Sequence, residues 1–231
     1  MAIYDRRGFS RSYLSATATQ NYTNRLATDA DDVALLIKHL SPGMPATVLG
    51  TSSGALVALE LLTRHPSILR TLLTHEPPAL KLLPDSATLE VGQREIYDTY
   101  HSFSIPPALA KFGTYYKAEN DIPTFQSSLD PKNGDFGNAQ YWFEREFLQY
   151  PLHNLDLDLV TKDKHLWRGV NGKRTNVEAP HYRANLEIAG RFGAKVDILV
   201  GSHVGYASDP VEWAKDLLVV LADREGVMNG L

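Results

Sequence analysis

The sequence contains no cysteine. Disulfides, thiolate nucleophiles and cysteine-ligated metals are therefore excluded, and the fold makes no demand on an oxidising compartment. No uninterrupted apolar run approaches the roughly 18 residues needed to span a bilayer. The opening stretch, MAIYDRRGFSRS, turns charged at Asp5 and has no apolar leader segment. The expectation is a cytoplasmic protein with no membrane partner. A basic excess is missing too: 23 Lys and Arg stand against 27 Asp and Glu, a net charge of −4. Nucleic-acid binding needs a positive stripe, so no nucleic-acid partner is expected. The most basic window, 162–174 (KDKHLWRGVNGKR), includes an Asp and overlaps a predicted strand, as a solvated edge does.

Metal and nucleotide signatures are also lacking. There is no H-E-x-x-H, and Asp29, Asp31 and Asp32 lack the Gly and Glu spacing of a calcium loop; acids in a first helical turn need no further explanation. The Gly50–Gly54 spacing does not fit a dinucleotide loop, nor Gly172-Lys173 a phosphate-binding loop. No metal is expected.

What is present is an alternating pattern. With 231 residues and 43% hydrophobic content, the chain can bury one sizeable core. Residues 2–4 read as the tail of a strand. A helix is predicted over 29–40 behind a capping box, Thr28-x-x-Asp31, and ends at Ser41-Pro42-Gly43. Strand 46–50, helix 54–64 and strand 69–74 follow, then strands at 165–170 and 195–200 with helix 181–192 between them. A last helix opens at Asp209-Pro210. This spacing predicts an α/β fold with a mostly parallel, doubly wound sheet built from 1–83 and 154–231. Between them, 84–153 shows helical patterns rich in aromatics and reads as a helical cap insertion. Most of those aromatics are expected to pack against one another, with some facing the cleft.

Within this pattern, Gly50-Thr51-Ser52-Ser53-Gly54 sits between a buried strand and an amphipathic helix. A G-x-S-x-G turn in that context forces its serine into a strained, outward-facing conformation at a helix N-terminus. Ser52 is the candidate nucleophile, and the Ser53 N–H the candidate oxyanion donor. A neutral hydroxyl needs a base. His39 and His65 end helices, His165 and His181 read as satisfied structural residues, and His101 and His153 lie in the insertion. His203, in ILVGSHVGYASDP after the last strand, opens at the same carboxyl edge as Ser52 and is the candidate base.

These segments, YDRRGFSRS at 4–12, GTSSGALVALELLTRHP from Gly50, LLTHEPP at 72–78 and GSHVGY at 201–206, resemble the α/β-hydrolase superfamily, in the family's order and over most of the chain. The likeness is to a small esterase-like branch with a helical cap. It implies a Ser-acid-His order, a cap lining an acyl or lactone pocket, and no metal or cofactor. Two departures follow. The family opens with further strands and a His-Gly loop that donates one oxyanion hydrogen bond, whereas this chain starts within what corresponds to a later strand. Strand 46–50 would then have a bare edge unless residues 1–5 cross to it or another chain pairs there, so a homodimer or a rearranged sheet edge is expected.

The second departure concerns the triad acid. Where the family carries Gly-x-Asp/Glu-Ser, this chain has Gly172-Lys173-Arg174-Thr175, and a cation cannot stabilise an imidazolium. Some relatives take the acid from the end of the preceding strand, which makes Glu76 the substitute, with Glu178 and a missing acid as alternatives. The function expected is hydrolysis of small apolar esters or lactones. A non-hydrolytic enzyme (cyclase, lyase or decarboxylase) and a ligand-binding pseudoenzyme are the competing readings.

Overall fold

Short apolar runs bounded by turn residues become the four strands of one sheet. They are β1 (Ala46–Thr51), β2 (Leu69–His75), β3 (Trp167–Gly172) and β4 (Val196–Leu199), all parallel and in the spatial order β1-β2-β3-β4. The structure, a computed structural model, describes residues 1–15, 17–127 and 136–224. Parallel neighbours need crossover connections, and here these are helical. Helix α1 (Arg25–Leu40) precedes the sheet and α2 (Ser53–Arg64) joins β1 to β2. Between β2 and β3 come α3 (Ser86–Ser102), α4 (Ile105–Tyr115), α5 (Ile122–Ser127), α6 (Phe136–Arg145) and α7 (Leu157–Lys162). Helix α8 (Pro180–Phe192) joins β3 to β4, and α9 (Gly205–Ser208) and α10 (Pro210–Arg224) follow.

The two-residue strand period sends neighbouring side chains to opposite faces. Leu72 and Trp167 enter a core with Ala30, Leu59 and Ile188 from α1, α2 and α8. Leu73, Val170 and Leu199 face the other way, onto Trp213 and Val220 of α10. Each fully buried leucine contributes about 1.5–3 kcal/mol relative to exposure. The sheet is also pinned by polar bonds. Asn185 of α8 donates to the Thr74 and Val170 carbonyls at 3.0 and 2.9 Å, tying β2 to β3, and Trp167 Nε1 donates to Thr74 Oγ1 at 2.9 Å.

Helices α3, α4 and α6 form a second core in which Phe112, Tyr116, Phe143 and Phe147 are buried, as the aromatic spacing implied; Phe103 is 78% exposed. Buried charges join this layer to the rest. Arg6 reaches Asp29 of α1 at 3.0 Å and both carboxylate oxygens of Glu146 at 2.8 Å, and the Tyr150 hydroxyl donates to Asp29 at 2.8 Å. Burial pushes the Glu146 carboxyl up despite the Arg6 guanidinium, which opposes that rise.

Several expectations are corrected. Residues 2–4 form no strand; they lie beside β1, along a groove of about 480 Å³, without pairing to it. The reason is local: Arg6 is drawn to Asp29 and Glu146, and Arg7 to Asp32 at 2.6 Å, so the segment is anchored on α1 and the helical layer. Helix α1 begins earlier than 29, with Asn24 as its N-cap, and the Thr28 hydroxyl donates to the Asn24 carbonyl instead of capping. Strand β3 starts two residues late, after a 3-10 turn at Lys164–Leu166, and runs on to Gly172 because Gly172 pairs with Leu199 of β4. His165 is exposed and not in the core. Within the basic window, Arg168 bonds Asp197 and reaches Asp223 at 2.9 Å, and Arg174 pairs with Asp209. Among the described residues, no helix is long and apolar enough to cross a membrane.

Candidate active site

Strand β1 ends at Thr51 and α2 begins at Ser53, so the reversal falls on Ser52, with φ +52° and ψ −123°. An L-residue seldom occupies that region, and holding one there costs on the order of 1–3 kcal/mol. Gly50 makes the turn sterically feasible: a Cβ there would lie 2.3 Å from the Gly54 carbonyl oxygen. Ser53 is the first residue of α2, and its N–H belongs to the helix's unsatisfied N-terminal donors.

Strand register brings the acid alongside. Thr51 pairs with His75, so the next residues, Ser52 and Glu76, leave neighbouring strand ends together. The Ser52 N–H donates to the His75 carbonyl at 2.9 Å. Glu76 also has a positive φ, +49°. His203 arrives from the loop after β4. Its Nε2 lies 3.0 Å from Ser52 Oγ and its Nδ1 2.7 Å from Glu76 Oε2. The Gly172 N–H, at the end of β3, donates to Glu76 Oε1 at 2.7 Å. A Cβ on Gly172 would sit 2.8 Å from the Ser202 carbonyl oxygen, so the close passage of these two loops requires glycine.

The electrostatics suit an ionised acid beside a neutral pair of rings. Burial alone would raise the Glu76 carboxyl, but the His203 hydrogen bond and the nearby His181, His203 and His75 rings pull it down to about 2. Burial also drives His75 to about 4 and His181 to about 3, with the His203 charge adding to both shifts and Glu76 opposing them. Both rings are therefore neutral near pH 7. Glu76, His181 and His203 are close enough, with donor atoms within 4.8 Å of one another, to be weighed as metal ligands. The geometry favours a hydrogen-bonded chain: zinc ligands bound at about 2.0–2.1 Å in a tetrahedron stand roughly 3.3 Å or more apart, whereas Glu76 and His203 meet at 2.7 Å.

The structure thus gathers Ser52, His203 and Glu76, with Ser53 at the adjoining helix start. Glu178 is exposed, with its own N–H donating to Asn176 Oδ1 at 2.9 Å, and takes no part. His181 departs from its expected role as a satisfied structural residue: it is buried, its Nε2 has no hydrogen bond, and Glu76 Oε2 lies 3.5 Å away. Neither His75 nor His181 stood out in the sequence. The phrase THEPP does carry a signal for His75, since the residue before a strand-end acid points toward the opposite sheet face. The helical layer reaches the site twice. Asp121 accepts a hydrogen bond from Ser202, next to His203, and Tyr116 stacks on His181 with ring centroids 5.8 Å apart.

Known proteins resemble this chain in sequence and fold. The family described as serine aminopeptidase, S33, matches residues 1–101. Over 221 residues the chain is 44% identical to the Uncharacterized hydrolase YraK of Bacillus subtilis (strain 168), covering 94% of this chain and 77% of that protein. Among solved structures, a thermophilic esterase from Thermogutta terrifontis aligns over 95% of this chain and 78% of its own, with TM-score 0.65 and 16% identity. MenH from S. aureus aligns over 96% and 82%, with TM-score 0.59 and 14% identity. At such identities the structural matches speak to the fold.

Proposed function

The chain belongs to the α/β-hydrolase family, and on that premise we propose that it is a serine hydrolase acting on small apolar carboxylic esters or lactones. The observation that carries this reading is the continuous chain Ser52 Oγ, His203, Glu76, at 3.0 and 2.7 Å. Ser52 Oγ attacks the acyl carbon while His203 Nε2 accepts its proton. Glu76 holds the ring with Nε2 free to accept and faces the positive charge that develops. The carbonyl oxygen, now an anion, is stabilised by the Ser53 N–H and the positive end of α2. Collapse breaks the ester C–O bond, and His203 returns the proton to the leaving alkoxide. Water, deprotonated by the same ring, then releases the acid from the Ser52 ester.

The substrate class follows from surroundings short of free charge. The groove beside Ser52 is walled by Val48, Val57, Leu61 and Ile3. The helical layer, proposed as the cap, has a core of aliphatic and aromatic side chains, and Arg6 on the groove wall is already paired with Asp29 and Glu146. Such walls suit apolar acyl groups over anionic ones. A larger hollow of about 850 Å³, lined by Tyr4, Arg7, Leu35 and His39, includes none of Ser52, His203 and Glu76. Ser52→Ala is expected to cut turnover of p-nitrophenyl butyrate by about 10⁴-fold or more while the fold persists. A fluorophosphonate should label the parent at Ser52. Turnover retained by Ser52→Ala, or an unlabelled Ser52 in folded protein, would overturn the reading.

A further inference from the structure

Resting on the hydrolase reading above, we propose that His181 is a positioning residue: its Nε2–H faces Oε2 of Glu76, so that two imidazoles share one carboxylate and the carboxylate stays aimed at His203. The starting observation is an anomaly. His181 is 2% exposed, and its Nε2 has no hydrogen bond. A buried donor left unpaired costs about 1–3 kcal/mol, so a ring kept in that state needs a reason. Glu76 Oε2 lies 3.5 Å from that nitrogen, and the His181 ring centroid is 4.2 Å from that of His203.

The placement fits a task that the other contacts leave undone. The Gly172 N–H fixes Oε1, and His203 engages Oε2. His203 is itself the group that must be oriented, so it cannot also be the fixed reference. His181 can, being held by its place in the chain and by one packed ring. Pro180 starts α8 immediately before it, Tyr116 stacks on one side, and Tyr116 is held in turn by its hydroxyl bond to Gln93 Oε1 at 2.8 Å.

The groups facing Glu76 are His75 from β2, His203 from the loop after β4, His181 from α8, Tyr206 from α9 and the Gly172 N–H from β3. Those facing His181 are Glu76, His203, His75 and Tyr116. His181 is neutral, so it acts through an N–H dipole. Such a donor draws charge out of the carboxylate. Its loss would leave Glu76 a stronger counterion for the His203 imidazolium, and also less well aimed.

The test uses His181→Phe, which keeps a stacking ring without the donor, and His181→Gln, which restores an N–H at similar reach. With p-nitrophenyl butyrate, His181→Phe is expected to lower kcat about tenfold with KM within twofold. It should also move the acid limb of kcat/KM to higher pH by about half a unit or more. His181→Gln is expected to recover most of both. If His181→Phe does not fold, His181→Asn, whose amide is too short, takes its place against His181→Gln. A parent-like profile without the donor, or equal losses in the two variants with an unmoved acid limb, would overturn the assignment. Ser52→Ala separates the two levels: its retained turnover removes the hydrolase reading, whereas an inactive Ser52→Ala with a failed His181 series removes only this one.

Discussion

Glu76→Gln replaces one carboxylate oxygen by an amide nitrogen and keeps the shape, so it isolates charge and proton direction at the site. The surroundings decide which way the amide lies. The Gly172 N–H is a donor 2.7 Å from Oε1, so the amide oxygen must stay there and the NH₂ group must take the Oε2 position, 2.7 Å from His203 Nδ1. The opposite orientation would press the NH₂ group onto the Gly172 N–H at 2.7 Å, a closer clash of donors than it meets at His181 Nε2, 3.5 Å from the Oε2 position. With an N–H pointing at it, Nδ1 has to accept, and the ring proton moves to Nε2, which faces Ser52 Oγ at 3.0 Å. In that tautomer His203 cannot take the serine proton. The equivalent acid-to-amide change in a serine protease triad lowers kcat by about 10⁴. Converted at about 1.4 kcal/mol per decade, that is between 5 and 6 kcal/mol of transition-state stabilisation. The assay is kcat and KM for p-nitrophenyl butyrate between about pH 6 and pH 9, with circular dichroism as the check on folding. KM should change little, since the acid does not touch substrate in this mechanism. A folded variant within about tenfold of the parent kcat would refute the reasoning, because the tautomer argument allows no loss that small.

Two further outcomes concern stability. Gly50→Ala places a Cβ 2.3 Å from the Gly54 carbonyl oxygen, a backbone atom that cannot step aside; the variant should lose about 1–3 kcal/mol in urea unfolding and label poorly with a fluorophosphonate, and parent-like values in both would count against the elbow geometry. The buried histidines set the acid sensitivity. The unfolded chain protonates His75 below its ordinary 6.5 whereas the fold holds it to about 4, so stability falls as pH drops through that interval, by roughly 3 kcal/mol for this ring. His75→Phe should flatten the slope of urea midpoints over that interval, and an unchanged slope would remove the assignment. Glu76 acts lower, its contribution being lost between 4.5 and about 2.

The fold was legible where local chemistry and tertiary packing agree. The strand, glycine turn and helix around Ser52 each follow from a handful of neighbouring residues, and β1, α2 and β2 fall within a residue or two of their predicted ends. The apolar residues at 2–4 suggest a strand, while the position of that segment is set by Arg6 and Arg7, whose partners lie in α1 and at Glu146. The acid shows the same division. Glu76 could be named as a strand-end carboxylate, but choosing it over Glu178 needed β2 and the loop carrying His203 to be placed side by side. The environment of His181 is hidden for a related reason. Burial at a helix start is visible in HYRANLEIAGRF, but an unbonded Nε2 beside a carboxylate from another element is not.

Strain and register together explain why this site sits at the end of β1 and β2. Ser52 and Glu76 both hold positive φ, each at a cost on the order of 1–3 kcal/mol. Each is fixed by bonds a relaxed turn would not form: the Ser52 N–H to the His75 carbonyl, and the Glu76 carboxylate to Gly172 and His203. Hydrogen bonds to a charged group contribute about 1.5–3 kcal/mol each, enough to offset the Glu76 conformation. These bonds exist only while Thr51 pairs with His75. A slip of two residues would keep every strand side chain on its proper face, yet it would separate the two strand ends by roughly 6–7 Å. His203 could then reach the hydroxyl or the carboxylate but not both, since it now contacts them at 3.0 and 2.7 Å through opposite sides of one ring. The hydrophobic pattern tolerates that slip and the chemistry does not, so the polar bonds at the strand ends specify the register that the apolar core leaves open.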